Sequence, residues 1–258
     1  MPIIVNRIYH SARQGLSVIT LAAYVFVLAT LFAVPGSALG AEASPSADNS
    51  ATEANAPAQS QAAQTAPVRL FGTVEFRGEL KNLPRWERIV KAERSSPTFD
   101  QDLSKFMSPA SVAQWQTMLQ NLRDAPILEK GRAVNNFFNR WPYKRDIEIY
   151  GVEMYWPTPA EFLRNSGMCH GYAITKFYAL LKMGVPEDRM RIVALNDTIR
   201  NIGHAVLALY VDDTAYILDN VSNVIMTHDR LAHYAPVFSV NQSFLWRHVV
   251  PKAPPPPK

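Results

Sequence analysis

The spacing of hydrophobic residues changes near the middle of the chain, and this change predicts the fold. Between positions 83 and 141, apolar residues recur at helical spacing in three segments. The second segment begins with Ser108-Pro109, a favourable cap and first-turn pair, and the third follows Pro126. We expect the aromatic side chains of these segments to pack in the core. The inward positions are Leu83, Trp86, Ile89 and Val90, then Val112, Trp115, Met118, Leu119 and Leu122, then Ile127, Leu128, Val134, Phe137, Phe138 and Trp141.

Beyond position 190 the apolar residues form shorter runs, which indicate strands. Residues 204–211 are almost continuously apolar, Asp212-Asp213 marks a turn, and residues 215–218 read as the returning strand of a hairpin. We expect further strands from three other runs, at 191–195, 237–240 and 244–249.

The segment between these two halves is expected to lead the chain from the helices to the sheet. Residues 146–155 predict a hairpin or loop, and residues 158–161 (TPAE) form a capping box that starts a short helix ending near Gly167. A helical N-terminal lobe followed by an antiparallel β-sheet is an α+β fold, and this is the predicted fold class.

Residues 1–40 have the features of an export signal. Arg7 and Arg13 give a positive start without any acidic residue, and residues 16–34 are an almost unbroken apolar run. Small residues then precede Ala41, which we expect to be the new N-terminus after cleavage. Because the run is also long enough to span a bilayer, an uncleaved N-terminal membrane anchor is the alternative. Either way, we expect the rest of the chain to be periplasmic or secreted.

The remaining residues divide into three parts by composition. Residues 41–67 are rich in Ala, Ser, Pro, Gln and Asn without apolar periodicity, which predicts a disordered linker. Residues 68–250 are long enough for one domain with a proper core. Residues 251–258 form a short Pro-rich tail.

The charge of the chain argues against a nucleic-acid partner. The formal net charge of +4 falls to +2 without Arg7 and Arg13, which is too mild for nucleic-acid binding. Basic residues crowd between positions 69 and 94, but glutamates are interleaved with them. We therefore expect a solvated helix face there, with an anionic contact surface as the alternative.

Cys169 is the only cysteine of the chain, so no internal disulfide can form. It follows a Gly-containing loop and begins an amphipathic segment, with Gly184 as a stop. In this segment Tyr172, then Lys176 or Phe177, then Leu180 or Leu181 recur at helical spacing. The first turn of a helix offers free N–H groups and the positive end of the helix dipole, which both favour a thiolate. We expect a nucleophile whose own N–H group serves an oxyanion site. The alternative is a buried, inert cysteine.

A base and an orienting acid are predicted on the hairpin. His204 opens the first strand and Asp219 follows the second, so a tight turn brings both residues to the same end of the strand pair. The carboxylate can then bond one imidazole nitrogen while the other nitrogen faces the sulfur. Cys169, His204 and Asp219 are therefore the predicted catalytic residues.

Three residues near the cysteine are candidates for contacts with the substrate or the oxyanion. Tyr155 and Trp156 carry polar groups on apolar bodies. Either residue could supply a second oxyanion donor or a wall of the substrate cleft; the alternative is that both simply pack in the core. His170 is expected to line the cleft; it competes with His204 as the base, although its adjacency to Cys169 gives it poor geometry. No CxxC or HxxxH spacing is present, so neither a metal site nor a cofactor is predicted.

Five motifs occur in an order and spacing that are fairly specific as a set. They are YWPTPAE at 155–161, Cys169 with YAI at 172–174, LKMGVPEDR at 181–189, GHAVL at 203–207 and LDN at 218–220. Through them, residues from about 141 to 249 resemble the bacterial transglutaminase-like cysteine proteinases. The resemblance implies a papain/transglutaminase-like fold, with the nucleophile helix packed on the sheet. It also implies a periplasmic protease that trims large surface adhesins in control of biofilm attachment, and suggests an inner-membrane regulatory partner.

The chain departs from this family beside the cysteine. Family members commonly carry a pattern like Asp-Cys-Glu-Asp, whose carboxylates serve a calcium site. This chain has Met168 before Cys169 and His170-Gly171 after it, so no carboxylate is left there. Because Ca²⁺ requires several oxygen ligands, we expect the calcium site to be lost and calcium dependence not to carry over.

The predicted function is an exported cysteine peptidase that cleaves a protein substrate through a Cys-His-Asp triad and an acyl-enzyme. The resemblance points to a cell-surface adhesin as the substrate. Two alternatives stay open. The acyl group can pass to an amine instead of water, as in a transglutaminase, or the altered flanks of Cys169 can mark a catalytically silent binding domain.

Overall fold

The computed structural model describes residues 68–81 and 83–251. The predicted export signal or anchor and the predicted linker lie outside these residues, as does the Pro-rich tail beyond Pro251. In the described part of the chain, no helix combines the length and the apolar character needed to cross a membrane.

The first half of the domain contains the three predicted helices. They are α1 (Pro84–Ser95), α2 (Pro109–Asn121) and α3 (Ile127–Phe138). Ser108 caps α2 as predicted, because its side-chain oxygen accepts the N–H of Ser111 at 3.2 Å. The aromatic side chains of these helices are buried together, also as predicted.

A short helix, α4 (Asp146–Tyr150), begins the segment predicted as a hairpin or loop at 146–155, so that prediction is wrong for its first half. The Glu148 carboxylate accepts the N–H of Arg145 and stabilises the helix start. Gly151 ends the helix at φ 69, a left-handed conformation that glycine adopts without a steric penalty.

Two further helices lead to and contain the cysteine. α5 (Pro159–Asn165) starts with the predicted capping box, in which Thr158 and Glu161 each accept the backbone N–H of the other. α6 (Cys169–Lys182) is the nucleophile helix of the prediction. Single 3-10 turns lie at Leu70–Gly72, Thr98–Asp100, Leu103–Lys105, Glu187–Arg189 and His228–Arg230.

The strands of the described residues form one antiparallel sheet of order β1-β7-β6-β2-β3-β4-β5. The tight β3–β4 hairpin is the predicted one, and Asp212 takes the left-handed conformation, φ 51, that such turns require. The strands are β1 (Val74–Glu79), β2 (Met190–Asp197), β3 (Ile202–Val211), β4 (Thr214–Leu218), β5 (Met226–Thr227), β6 (Tyr234–Val240) and β7 (Phe244–Val249).

No strand was predicted at β1, an edge strand that pairs with β7. The charged run between positions 69 and 94 is therefore divided between β1 and α1, and the expected single helix face is wrong. Two glutamates of this charged run bind other side chains instead of facing solvent. Glu75 of β1 forms an ion pair with Arg191, and the buried Glu93 of α1 accepts the Thr98 hydroxyl at 2.5 Å.

α6 joins the helical lobe to the sheet. It packs on β2 and β3 on one side and on α3 and α5 on others, with Ile174 completely buried. Leu207 and Leu209 of β3 face this helical core, whereas Val206 and Ala208 face a second cluster on the opposite side of the sheet, because strand side chains alternate. The fold class is α+β, as predicted. Cys169 stands at the end of the helix that touches both layers.

Candidate active site

Cys169 is the first residue of α6 and is 7% exposed. Met168 precedes it as an extended N-cap residue whose side chain makes no capping hydrogen bond. The chain arrives through Ser166, at φ 70, and Gly167, which forms a parallel bridge with Tyr143. The thiol therefore lies at the positive end of the helix, as its sequence context predicts.

His204 and Asp219 meet at one end of the β3–β4 hairpin. His204 is near the start of β3 and Asp219 directly follows β4, so the register of the hairpin brings Nε2 of the imidazole 2.9 Å from Oδ1 of the carboxylate. Oδ1 also accepts the N–H of Val221 at 3.1 Å. Oδ2 accepts the hydroxyl of Tyr234 at 2.6 Å. Both atoms of the buried carboxylate are thus satisfied.

Two imidazoles, those of His170 and His204, are near enough to the Cys169 thiol to change its pKa. Burial alone would raise the pKa of the thiol, but the two imidazoles outweigh burial and lower it to about 6. Burial would lower the pKa of His204, but Asp219 and the sulfur raise it to about 9. Between these values the thiolate–imidazolium form prevails. Such a pair can attack a carbonyl carbon and then protonate a leaving amine.

His170 has a carboxylate partner of its own. Its ring is 2% exposed, and Nε2 lies 2.8 Å from Oδ2 of Asp146, the fully buried first residue of α4. The indole of Trp156 stacks on the imidazole with 5.9 Å between ring centroids and 20° between planes. Burial would lower the pKa of His170, but Asp146 and the sulfur of Cys169 raise it to about 9. Sequence reasoning proposed no acidic partner for this histidine.

Tyr155 and Trp156 contact the site differently. The Tyr155 hydroxyl donates to Oε1 of Glu161 at 2.8 Å, and its backbone N–H donates to Asp146 at 2.7 Å. Trp156, whose backbone has φ 59, lies in the site through its stacking on His170. Tyr155 therefore supports Asp146 through its backbone, and its hydroxyl is committed to a different group.

Sequence reasoning also missed Tyr143, which is half exposed beside the cysteine. Burial raises the pKa of its phenol, and the nearby charges of Cys169 and Asp146 raise it further, so the ring is a neutral wall of the cleft. The parallel bridge to Gly167 brings it there. Nothing in its local sequence indicates that pairing, because the two residues belong to segments separated by two helices.

A buried lysine connects α6 to the loop that carries Asp219. Lys176 is 0% exposed, and Nζ donates to Oδ1 of Asn135 at 2.7 Å and to Oδ1 of Asn139 at 2.6 Å. The amide nitrogen of Asn139 in turn donates to the Asp219 carbonyl at 2.9 Å and to the Ser222 carbonyl at 3.0 Å. This chain of bonds fixes the Asp219 loop relative to the helix that holds the nucleophile.

The residues beside Cys169 do not fit a calcium site. Met168, His170 and Gly171 bring no carboxylate there. A Cβ added at Gly171 would meet Phe162 Cδ2 at 2.8 Å and Pro157 Cγ at 3.0 Å, so a side chain has no room at that position. Across residues 68–81 and 83–251, no group of three or more His, Cys, Asp or Glu side chains is arranged to hold a metal ion.

Comparison with known proteins identifies the family. Residues 110–252, more than half of the chain, match the family described as bacterial transglutaminase-like cysteine proteinase. The chain belongs to this family. It is a cysteine peptidase with a transglutaminase-like fold, as the sequence motifs implied. The matched residues contain Cys169, His204 and Asp219.

Solved structures of LapG from Legionella pneumophila are similar to this peptidase. Its calcium-bound form is 30% identical with a TM-score of 0.50, covering 63% of this chain and 87% of that one. Its EGTA-treated form is 28% identical with a TM-score of 0.48, covering 63% and 84%. No curated protein matches the chain.

Proposed function

We propose that this peptidase uses Cys169 as its nucleophile, His204 as its general base and acid, and Asp219 as the group that orients the imidazole. The observation that carries the proposal is the 2.9 Å contact between Nε2 of His204 and Oδ1 of Asp219. With Nε2 occupied, Nδ1 is left for the sulfur. A buried carboxylate in this position fixes the tautomer of the histidine and stabilises its protonated form.

The reaction follows from these positions. The thiolate attacks the peptide carbonyl carbon, and the negative oxygen that forms is stabilised by the Cys169 N–H at the positive end of α6. The C–N bond breaks as protonated His204 gives its proton to the leaving amine. The neutral imidazole then takes a proton from water, whose oxygen attacks the acyl-enzyme. Release of the acid regenerates the thiolate and the imidazolium.

A thiol-reactive peptide probe and a casein-like substrate test this assignment. We expect rapid labelling of the enzyme at mildly acidic pH, and Cys169→Ala to abolish both labelling and turnover. His204→Ala should slow labelling and reduce turnover by about 10²-fold or more, because general acid–base catalysis is lost. His228→Gln is the matched control, because Nδ1 of His228 accepts the N–H of Phe71 and the residue has no role in the proposed triad.

Other outcomes of the same experiment would identify the alternatives. Slow labelling that His204→Ala leaves unchanged would indicate a silent binding domain. Incorporation of an added free amine into the product, in place of new peptide termini, would indicate acyl transfer.

We also propose that the enzyme is exported and acts on a cell-surface adhesin. An inner-membrane partner would regulate this activity. Residues 1–40 would direct export or anchor the chain, residues 41–67 would tether domain 68–250, and residues 251–258 would be a plain tail. The positive start, apolar run and small residues near Ala41 support export. The family resemblance supports the substrate and the partner. N-terminal sequencing of the protein from the periplasmic fraction tests the first point, with Ala41 as the expected first residue.

We further propose that the activity does not depend on calcium. The packing of Gly171 against Phe162 and Pro157 and the absence of carboxylates at positions 168, 170 and 171 support this. We expect turnover and probe labelling to be unchanged by EGTA and by added calcium. A loss of activity in EGTA that calcium restores, and magnesium does not, would contradict the proposal.

A further inference from the structure

A second histidine–carboxylate pair approaches the nucleophile from the helical side of the molecule. His204 and Asp219 come from the sheet, whereas His170 belongs to α6 and Asp146 to α4. The Nε2 of His170 lies 2.8 Å from Asp146, which leaves Nδ1 for the adjacent sulfur. Two imidazoles, each paired with a buried carboxylate, thus act on one thiol.

The surroundings of Asp146 favour a positive charge on His170. Asp146 is 0% exposed, its Oδ2 accepts the Tyr155 N–H at 2.7 Å, and its Oδ1 has no hydrogen-bond partner within the described residues. Among those residues, His170 is the one cationic group at ion-pair distance from it. A buried carboxylate with so few donors is costly unless a cation neutralises it.

The ring of His170 is held rather than free to turn. Trp156 stacks on one of its faces, and Trp156 is itself fixed because its carbonyl accepts a guanidinium hydrogen of Arg88 at 2.7 Å. With Nε2 at Asp146 and the ring held by Trp156, His170 can supply charge, but it is poorly placed to carry protons to the substrate.

We propose that His170 is a second catalytic histidine, held protonated by Asp146, whose fixed charge stabilises the Cys169 thiolate while His204 exchanges protons with the substrate. This inference rests on the proposed function of Cys169 and His204. It gives the departure from the family's acidic pattern a chemical role, because the imidazolium places a cation beside the nucleophile at neutral pH without any bound metal.

The balance of charges agrees with this division of roles. The thiolate, Asp146 and Asp219 are three buried anions, and the two imidazolium ions and the N-terminus of α6 oppose them. The titratable groups that face His170 are Asp146 from α4 and Cys169 from its own helix. Around these, His204 faces the sulfur, and Tyr143 and Tyr150 face Asp146 as neutral phenols with raised pKa values.

His170→Gln in the full chain tests the charge, because glutamine keeps hydrogen-bonding groups and stays neutral. We expect the midpoint of thiol labelling against pH to rise by about one unit or more from its native position. The value of kcat/KM should fall about tenfold or more at pH 6 and recover most of this loss at pH 9, where the thiolate forms without help. A merely structural histidine would lower kcat/KM by the same factor at every pH, and an unmoved labelling midpoint would overturn the proposal.

Two companion variants separate this inference from the proposed function. His204→Gln should lose turnover at every pH, since proton transfer is missing; retained turnover would refute the triad itself. Asp146→Asn should shift the labelling midpoint in the same direction as His170→Gln. Asp213→Asn, in the exposed β3–β4 turn, is the matched control and should shift nothing.

A measurement on the unmodified enzyme covers the case in which a variant does not fold. Nuclear magnetic resonance of ¹⁵N-labelled histidines reports the protonation of each ring. Both His170 and His204 should remain protonated through pH 7.5. A His170 signal that is mostly neutral at pH 7 would overturn the proposal whatever the variants do.

Discussion

At the scale of single residues, Asp219 shows how a buried acid is kept ionised. Burial would raise the pKa of its carboxyl, but His204, then Tyr234 and the Val221 N–H, outweigh burial and lower it. The Tyr234 hydroxyl is the neutral member of this set, at 2.6 Å from Oδ2. The Tyr234 hydroxyl therefore helps to lower the pKa of Asp219 but does not exchange a proton in the reaction.

Tyr234→Phe should weaken catalysis while leaving the fold intact. The change removes one hydrogen bond to a charged group and leaves Oδ2 buried without that donor, which costs on the order of 1.5–3 kcal/mol. We expect kcat/KM to fall about tenfold. Steady-state kinetics between pH 5 and 8 measure the change.

The matched control for this substitution is Tyr216→Phe. Tyr216 lies on β4, in the same hairpin, and its partner across the sheet is Thr227 of β5. Wild-type kinetics are expected for this variant. Equal kcat/KM values for Tyr234→Phe and the wild type would show that Asp219 needs only its histidine.

At the scale of elements, the buried Lys176 of α6 joins this helix to α3 through its hydrogen bond to Asn135. Burial lowers the pKa of Lys176 to about 7, although the Asp219 charge opposes this. In the unfolded chain a lysine titrates near pH 10.4. Between these values the unfolded chain binds the extra proton, so this lysine makes folding more favourable as pH rises from about 7 to about 10.

Lys176→Met should remove this pH dependence. Relative to the variant, the wild type is expected to gain stability on going from pH 7 to pH 9.5, and the difference should be constant below pH 6.5. Denaturant unfolding at pH 6, 8 and 9.5 measures it. Lys182→Met, at the exposed end of the same helix, is the control and should show no such change. A pH-independent difference for Lys176→Met would contradict the lowered pKa.

Elements whose signals lie in neighbouring residues were predicted correctly, and elements without such a clear local signal were missed. The hairpin and the capping box at Thr158 depend on neighbouring residues, and both are present as predicted. Residues 146–150 (DIEIY) alternate polar and apolar residues like a strand, but the Glu148 cap and Gly151 favour a helix. β1 was not predicted although Val74 and Phe76 alternate with Glu75 and Arg77, because the alternation is short and its charges continue into the charged run of α1.

The site follows the same rule. Cys169 stands out because it is the lone cysteine at a helix start, and His204 and Asp219 follow from the hairpin geometry. Asp146 and Lys176 could not be found this way. Asp146 meets His170 only through tertiary packing, and Lys176 occupies an inward helix position where a charged residue is not expected.

At the scale of the whole molecule, the nucleophile depends on both layers of the fold. The helical side supplies Cys169, His170 and Asp146, and the sheet supplies His204 with its carboxylate. Neither half alone brings both imidazoles to the thiol. We therefore expect labelling of the thiol at mildly acidic pH to be lost in the same cooperative transition as the fold.

The pH range of activity follows from this assembly. The thiol loses its proton with a pKa of about 6, and the two imidazoles lose theirs with pKa values of about 9. The reactive form needs the first proton gone and the imidazole protons kept, so kcat/KM should rise through about pH 6, stay level, and fall above about pH 9. Because the groups interact, these limbs belong to the cluster rather than to single residues. A kcat/KM profile on a peptide substrate, with thiol labelling over the same range, measures both limbs. A single rising limb centred near pH 8.5 would show an ordinary thiol, and the site would then lack the charge separation on which its chemistry depends.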